Sequence, residues 1–322
     1  MLNNAFRIMH LFCKIYYDQP NIVNPKFFVT ICIIHVCSFH AIKVYLNIYI
    51  GGIPVPFTTK PTHLRLLGVL ILSSFFIPLI ATAEPIFSHV HMRVPDTEEA
   101  AAWHQELLGG ETRPGGPGPF IHHVNGFVGT MSNDGEIAPP SDESVIDHFG
   151  IAVTDAAATI AKAREMGAVI HAEPYEGITA PVVAFFEDPW GVKIEVMEDP
   201  VYLGINHIHL FAADADSMKD WFLEVFGGEL IEERGKGMFH TILYGRDTWV
   251  QVTQSPDGQR APSRNRAIDH MGFTVDSLDD FRGTLKDAGY EPYLERPNPP
   301  GSDLMFFIGP EGIHFEIQEV VE

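Results

Sequence analysis

Cysteine is almost missing from this chain. There are three in 322 residues, Cys13, Cys32 and Cys37, and all lie before residue 84. Residues 84–322 can therefore hold no disulfide and run no thiol chemistry, a composition that suits an oxidising compartment. Basic residues are scarce: 21 Lys and Arg stand against 42 Asp and Glu, a formal net charge of -21 and a pI near 5.0. Such a surface repels phosphate, which argues against nucleic acid and anionic membranes as partners. The first 83 residues lack acid instead, with Asp18 alone against Arg7, Lys14, Lys26, Lys43, Lys60 and Arg65. The most apolar run, residues 66–80, is shorter than the roughly 20 residues a membrane-spanning helix needs.

That run does have the order of a secretory signal peptide. Lys60, His63 and Arg65 precede it, and Ala81-Thr82-Ala83 and then Glu84-Pro85 follow. The expectation is a signal peptide over 60–83, cleaved after Ala83, and an exported protein, periplasmic or secreted. The alternative is an uncleaved anchor, the one case in which a membrane is a partner. Residues 1–59, rich in Ile, Asn, Tyr, Phe and Lys, form an extension ahead of the signal and read as a start site set too far upstream. Cys32-x-x-His35 and Cys37-x-x-His40 have the residue types of metal ligands but read first as part of an apolar stretch without catalytic meaning, and a second membrane segment around 27–50 stays open.

What is present in 84–322 is a pattern that occurs twice. Ser-His-Val-His-Met at 88–92, Ile-Asp-His-Phe-Gly at 146–150 and Gly-Val-Lys-Ile-Glu-Val at 191–196 are answered by Asn-His-Ile-His-Leu at 206–210, Ile-Asp-His-Met-Gly at 268–272 and Gly-Ile-His-Phe-Glu-Ile at 312–317. His89 to His148 spans 59 residues and His148 to Glu195 spans 47; the matching intervals are 63 and 46. Two histidines and a glutamate, each in an apolar strand-like run, make a ligand set for Fe, Mn, Zn, Ni or Co and leave coordination positions open. The sequence thus predicts two sets, His89–His148–Glu195 and His207–His270–Glu316. The halves, 84–199 and 205–322, are joined by a linker at 200–204. Each restarts once, with strand-like runs followed by helices at 97–108, 157–167, 216–226 and 278–289; the first and third stop at Gly109-Gly110 and Gly227-Gly228.

This arrangement resembles the vicinal oxygen chelate superfamily, which includes glyoxalase I, fosfomycin- and bleomycin-resistance proteins, extradiol dioxygenases and methylmalonyl-CoA epimerase. The resemblance covers nearly all of 86–320. It implies an α+β fold of two tandem modules, each of two βαβββ units closing a curved, cup-like mixed sheet with helices outside. It also implies that the six ligands come from the first strands of both units and the last strand of the second. Glyoxalase-like members take a fourth ligand from the last strand of the first unit. Gln251 stands there in the second half as a weak oxygen ligand or an ordinary strand amide, and Val128 at the matching place in the first.

Residues two apart on a strand share a face. His91 and His209 therefore accompany His89 and His207, as general bases or substrate contacts or as hydrogen-bonded histidines lining the cup. His122 or His123, and His240, are further candidates to face the cup. His314 shares a face with Glu316 where Lys193 shares one with Glu195, so the two sites are not expected to be identical. Asp147 and Asp269 precede the second histidine and should point to the opposite face, as structural residues or, in the alternative, as partners of that same histidine, and Trp103 and Trp221 should be core.

The family's shared chemistry is a Lewis-acid metal that binds adjacent oxygens of a small substrate. The reading is an exported divalent-metal-dependent enzyme, a lyase or isomerase. An extradiol-type dioxygenase is the second reading and a sequestering protein like those of bleomycin resistance the third. Phe185 and Phe306 stand where dioxygenases carry a Tyr, and sequestering proteins usually lack the ligands. The resemblance also admits a homodimer.

Overall fold

A computed structural model describes residues 84–245, 247–296 and 303–320, together with the backbone of four short strands nearer the N-terminus. Those strands are β1 (His10–Ile15), paired antiparallel with β2 (Val29–Ile34), and β3 (Ile48–Ile50), paired with β4 (Ile53–Val55). The expected signal segment at 60–83 lies outside the described residues, and so do the side chains of the cysteine–histidine pairs. No helix among the described residues is long and apolar enough to cross a membrane.

From Glu84 onward the expected βαβββ unit occurs four times. The first has β5 (Ile86–Val94), a helix at Thr97–Leu108, then β6 (Glu111–Arg113), β7 (Phe120–His123) and β8 (Gly126–Ser132). The second has β9 (Ile146–Ala152), a helix at Ala156–Glu165, then β10 (Val169–Tyr175), β11 (Val183–Glu187) and β12 (Lys193–Met197). The third has β13 (Ile205–Ala212), a helix at Ala215–Phe226, then β14 (Glu229–Leu230), a short helix at Glu232–Gly235, β15 (His240–Tyr244) and β16 (Thr248–Gln254). The fourth has β17 (Ile268–Val275), a helix at Leu278–Asp287, then β18 (Leu294–Arg296), β19 (Leu304–Ile308) and β20 (His314–Glu319).

Local chemistry sets the helix ends. Asp96, Asp155, Asp214 and Ser277 each cap a first turn by accepting backbone N–H groups. The sequence did not reveal the strand after each helix. These four are sheet-edge strands, mostly two or three residues long; the longer β10 alternates exposed and half-buried positions. They carry no apolar run to read.

The sheets are not built as the repeat suggests. One eight-stranded sheet runs β10-β11-β12-β9-β13-β16-β15-β14 and the other β18-β19-β20-β17-β5-β8-β7-β6. Each therefore joins a unit from one half to a unit from the other, through the antiparallel pairs β9·β13 and β17·β5. Units adjacent in sequence meet in the helical layer instead. Trp103 of the first unit packs on Phe186 and Trp190 of the second, and Trp221 of the third packs on Phe307 and Phe315 of the fourth. Trp221 is a core residue, as expected, whereas Trp103 is half-buried and packs against the core. Val90, Met92 and Val94 on one face of β5, and Ile208, Leu210 and Ala212 on one face of β13, join a single apolar core. The opposite face of each strand carries the histidines.

Candidate metal centres

The exchange of units regroups the expected ligands. His89 does not meet His148 and Glu195. It meets His270 and Glu316 on β17 and β20, while His207 meets His148 and Glu195 on β9 and β12. All six residues are brought together, but each triad crosses the two halves. Site one contains His89, His91, His270 and Glu316, and site two contains His207, His209, His148 and Glu195; within each group the ligand atoms lie within 4.8 Å of one another. The physical reason is register. In the β17·β5 pair Gly272 faces His89 and His270 faces His91, and in the β13·β9 pair Gly150 faces His207 and His148 faces His209. A Cβ at Gly272 or Gly150 would overlap the ring of His89 or His207, so only glycine lets each ring lie across the neighbouring strand. The pentapeptides Ile-Asp-His-x-Gly thus carry their glycine for a reason that only the pairing reveals.

The donor sets fit a divalent ion. His270 Nε2 and His148 Nε2 each stand 3.2 Å from the partner glutamate, and His207 Nε2 is 3.2 Å from Glu195. His89 Nε2 is 3.7 Å from Glu316. Neither of the last two contacts is a hydrogen bond, the His89 contact being too long, so His89 Nε2 and His207 Nε2 are buried without a hydrogen-bond partner. Orphaned buried nitrogens beside a buried carboxylate are costly unless a cation joins them. Burial raises the Glu195 and Glu316 carboxyls, but the facing imidazoles, His207 at Glu195 and His89 at Glu316, outweigh it and hold both below the usual range. Both glutamates are thus ready as anionic ligands.

Asp147 and Asp269 overturn the structural role expected of them. Asp147 Oδ1 lies 2.5 Å from His148 Nδ1 and Asp269 Oδ1 lies 2.7 Å from His270 Nδ1. Strict alternation would put neighbours on opposite faces. However, the ladder steps from Ile268 to His270, and from His148 to Ile146, skipping each aspartate. This bulge turns Asp and His to the same side. Burial opposes charge on His270, yet its hydrogen bonds to Asp269 and Glu316 push it up to about 9; His148 is raised by the same kind of partners, Asp147 and Glu195. With Nδ1–H donated to the aspartate, Nε2 is the atom that a metal would bind, taking the place of its proton.

The residues behind these aspartates differ. At site one, Arg93 Nε donates to Asp269 Oδ2 at 2.6 Å, and His314 Nδ1 stands 2.8 Å from Asp269 Oδ1, with the Tyr293 hydroxyl 2.6 Å from His314 Nε2. At site two, Lys193 donates to Asp147 Oδ1 at 2.7 Å and Arg260 to Oδ2 at 2.6 Å. The expected contrast of His314 with Lys193 is therefore present, but both side chains act on the aspartates.

The remaining candidates divide. His91 and His209 both line the cups: His91 Nδ1 is 2.8 Å from His270 Nε2, and His209 Nε2 is 2.7 Å from Thr253 Oγ1. Burial holds both below the ordinary imidazole range. Gln251 is buried, faces His209 across the β13·β16 ladder, and its Nε2 has no partner. Its counterpart is not Val128: in the β5·β8 ladder His91 faces Gly129. His122 turns toward the cup, its ring 5.2 Å from Phe127, which itself stacks on His89 at 4.5 Å. His240 does not face the cup; it binds Asp216 of the helix at 2.9 Å. His123 lies toward the helix side, where Gly110 approaches its ring.

Arg234 lies in no motif that marks it in the sequence. It sits on the short helix at Glu232–Gly235, its guanidinium 4.2 Å over Trp249 and 4.8 Å over Tyr202, paired with Asp199 at 3.1 Å. Trp249 faces His207 in the ladder, and a shallow cavity of about 340 Å³ lined by Tyr202, Arg234, Lys236 and Trp249 opens beside it. In the first half the matching loop is Pro-Gly-Gly-Pro-Gly-Pro at 114–119.

Comparison with known proteins agrees with this geometry. A probable chloroplastic lactoylglutathione lyase of Arabidopsis thaliana is 29% identical over 160 residues, which are 45% of this chain and 45% of that protein. The chain thus spans about half the length of this curated relative. Glyoxalase I from Zea mays aligns over 73% of this chain and 92% of its own, with 17% identity and a TM-score of 0.59. A putative dioxygenase from Bacillus subtilis aligns over 75% and 87%, with 14% identity and a TM-score of 0.58. At such identities these two structures show the fold. The sequence model of the family, however, matches residues 86–196 and again 204–317, and this chain belongs to the glyoxalase/bleomycin resistance protein/dioxygenase superfamily.

Proposed function

We propose that the chain is a divalent-metal-dependent enzyme of the glyoxalase type, a lyase or isomerase acting on a small molecule with two adjacent oxygens. The observation that carries this reading is the convergence, at each site, of unpartnered histidine nitrogens on a buried glutamate. Two imidazoles and one carboxylate leave room for two substrate oxygens. A bound divalent metal supplies a Lewis acid that polarises those oxygens and stabilises negative charge next to them.

The protein's own groups supply orientation and proton handling. Asp147 and Asp269 fix the rings of His148 and His270 through Nδ1 and leave Nε2 directed at the metal position. Phe127, Phe185 and Phe306 pack against the site histidines and keep water from the cups. His209 is kept neutral by burial, and the Thr253 hydroxyl engages its Nε2. Its Nδ1 is without a partner, which suits a group that takes a proton from the substrate and returns it. Gln251 beside it is placed to offer an oxygen to the metal or the substrate.

Phe185 and Phe306, ladder partners of Glu195 and Glu316, weigh against a ring-cleaving dioxygenase, because neither offers a hydroxyl. Two complete ligand sets weigh against simple sequestration. The name of the Arabidopsis relative makes lactoylglutathione lyase activity the first to assay. Purified protein is loaded in turn with Mn, Fe, Co, Ni or Zn, and two equivalents and metal-dependent turnover are expected. A protein that binds none of these ions defeats the reading. Export belongs to the same proposal: N-terminal sequencing of protein from the native host should find Glu84 first, and an intact N-terminus sinks it.

A further inference from the structure

The two sites differ at the rung of the ladder beside the metal ligands. At site two the rung is His209–Gln251, and at site one it is His91–Gly129. The absent side chain at 129 changes what the histidine can do. A Cβ at Gly129 would overlap the imidazole of His91, at Nε2 and its neighbouring carbon, so the ring occupies the space a side chain would take. At site two that space belongs to the Gln251 side chain.

The anchoring of the two histidines differs as well. Thr253 faces Phe211 in the β13·β16 ladder, and Met131 faces Arg93 at the same place in β5·β8. Thr253 gives His209 a hydroxyl, whereas Met131 has none to give. His91 Nε2 is accordingly buried without a partner. Its Nδ1 is hydrogen-bonded to His270 Nε2 at 2.8 Å, so it points at the same place as that ligand nitrogen and needs to move by only about 0.5 Å to share one ion with it at about 3.0–3.4 Å. No hydrogen bond joins His209 to His148, although their ring centroids are 4.7 Å apart.

We propose that His91 is a fourth protein ligand at site one, using the space left by Gly129, and that His209 is not its equivalent at site two. Site one then offers three imidazoles and one carboxylate to a divalent ion, and binds it more tightly with fewer positions left for substrate. Site two keeps two imidazoles and Glu195, with Gln251 as an oxygen donor, and is the more open of the two. This inference rests on the metal reading above and divides its two sites into unequal ones.

The test uses the full chain in two backgrounds. In one, His148→Ala with Glu195→Gln leaves site one; in the other, His270→Ala with Glu316→Gln leaves site two. Zinc affinity is measured by chelator competition, and the nitrogen donors are counted by electron paramagnetic resonance of bound Cu(II). With site one alone, three nitrogens are expected. His91→Ala should reduce them to two and weaken zinc at least about tenfold. Gly129→Ala, which crowds the ring without removing it, should weaken zinc in the same direction, and His91→Gln should recover part of the affinity. With site two alone, two imidazole nitrogens are expected, and His209→Ala should leave zinc affinity within about threefold. A His91→Ala protein with unchanged affinity and donor count overturns the proposal, as do equal losses from His91→Ala and His209→Ala. A wild-type chain that binds no metal overturns the functional reading itself.

Discussion

Site one and site two descend from one pattern, and their likenesses and differences fall in separate layers. The innermost layer is the same in both: a histidine on the first strand of one half, a histidine held by its preceding aspartate on the partner strand, and a glutamate on the strand beside it. The layer around it is not. Asp269 is held by Arg93 and His314, whereas Asp147 is held by Lys193 and Arg260. Gly129 stands where Gln251 does, and Arg234 with Trp249 flanks site two alone. The lesson is that matching residues in a duplicated fold say little about equivalence, because their surroundings differ and would tune each site separately.

The largest expected effect tests the pairing across halves. His89→Ala combined with Glu316→Gln should remove one metal equivalent of two, because both residues serve site one. His89→Ala combined with Glu195→Gln should remove both, because each change disables a different site. The grouping by halves that the repeat suggests gives the reverse result, so metal counting on two double variants separates the arrangements.

A smaller effect comes from the glycines. Gly272→Ala should displace His89 and Gly150→Ala should displace His207. Each should cost about 1–3 kcal/mol of stability through overpacking and weaken only the site on its own sheet. Thermal melts and metal titration together check this, and a Gly150→Ala protein that loses site one instead breaks the comparison.

Asp147→Asn and Asp269→Asn should each lower metal affinity at the adjoining site by about 10–100-fold, because the histidine loses its orienting acceptor. The loss should be unequal: removing Asp269 leaves His314 and Arg93 without their shared partner, and removing Asp147 leaves Lys193 and Arg260 so. Equal losses would show that these outer partners do not matter.

The smallest effect lies away from both sites. His123 and Tyr244 hold matching ladder places, opposite Gly126 and Thr248. Burial, and then His104 beside it, lower His123 from 6.5 to about 4. Between those values the unfolded chain binds more protons than the folded one, so stability rises with pH from about 4 to 6.5 and is level above. The loss on acidification should be about 2 kcal/mol after allowance for partial exposure. Denaturant melts at pH 5 and pH 7 should show a smaller difference in His123→Gln than in the parent; an unchanged difference removes His123 from the account.

Much of this was legible in the chain. The four strong helices, the apolar strands and all six buried candidate ligands follow from periodicity, capping residues and the duplicated His, His, Glu pattern. The edge strands at Glu111–Arg113, Val169–Tyr175, Glu229–Leu230 and Leu294–Arg296 were not, because one free edge and little burial leave no apolar signature. Asp147 and Asp269 were misread because strand alternation assumes an unbroken ladder, and a bulge breaks it at both places.

The sequence by itself determined the units, the residues that face inward and the chemistry of the ligand set, since these depend on side-chain type and on contacts within a few tens of residues. Which glutamate serves which histidine was decided only by the tertiary structure. Two similar units can close a sheet with either similar partner, and the local pattern is the same in both arrangements. The choice lies in long-range pairing, where β9 joins β13 and β17 joins β5 while the helices keep each half together outside.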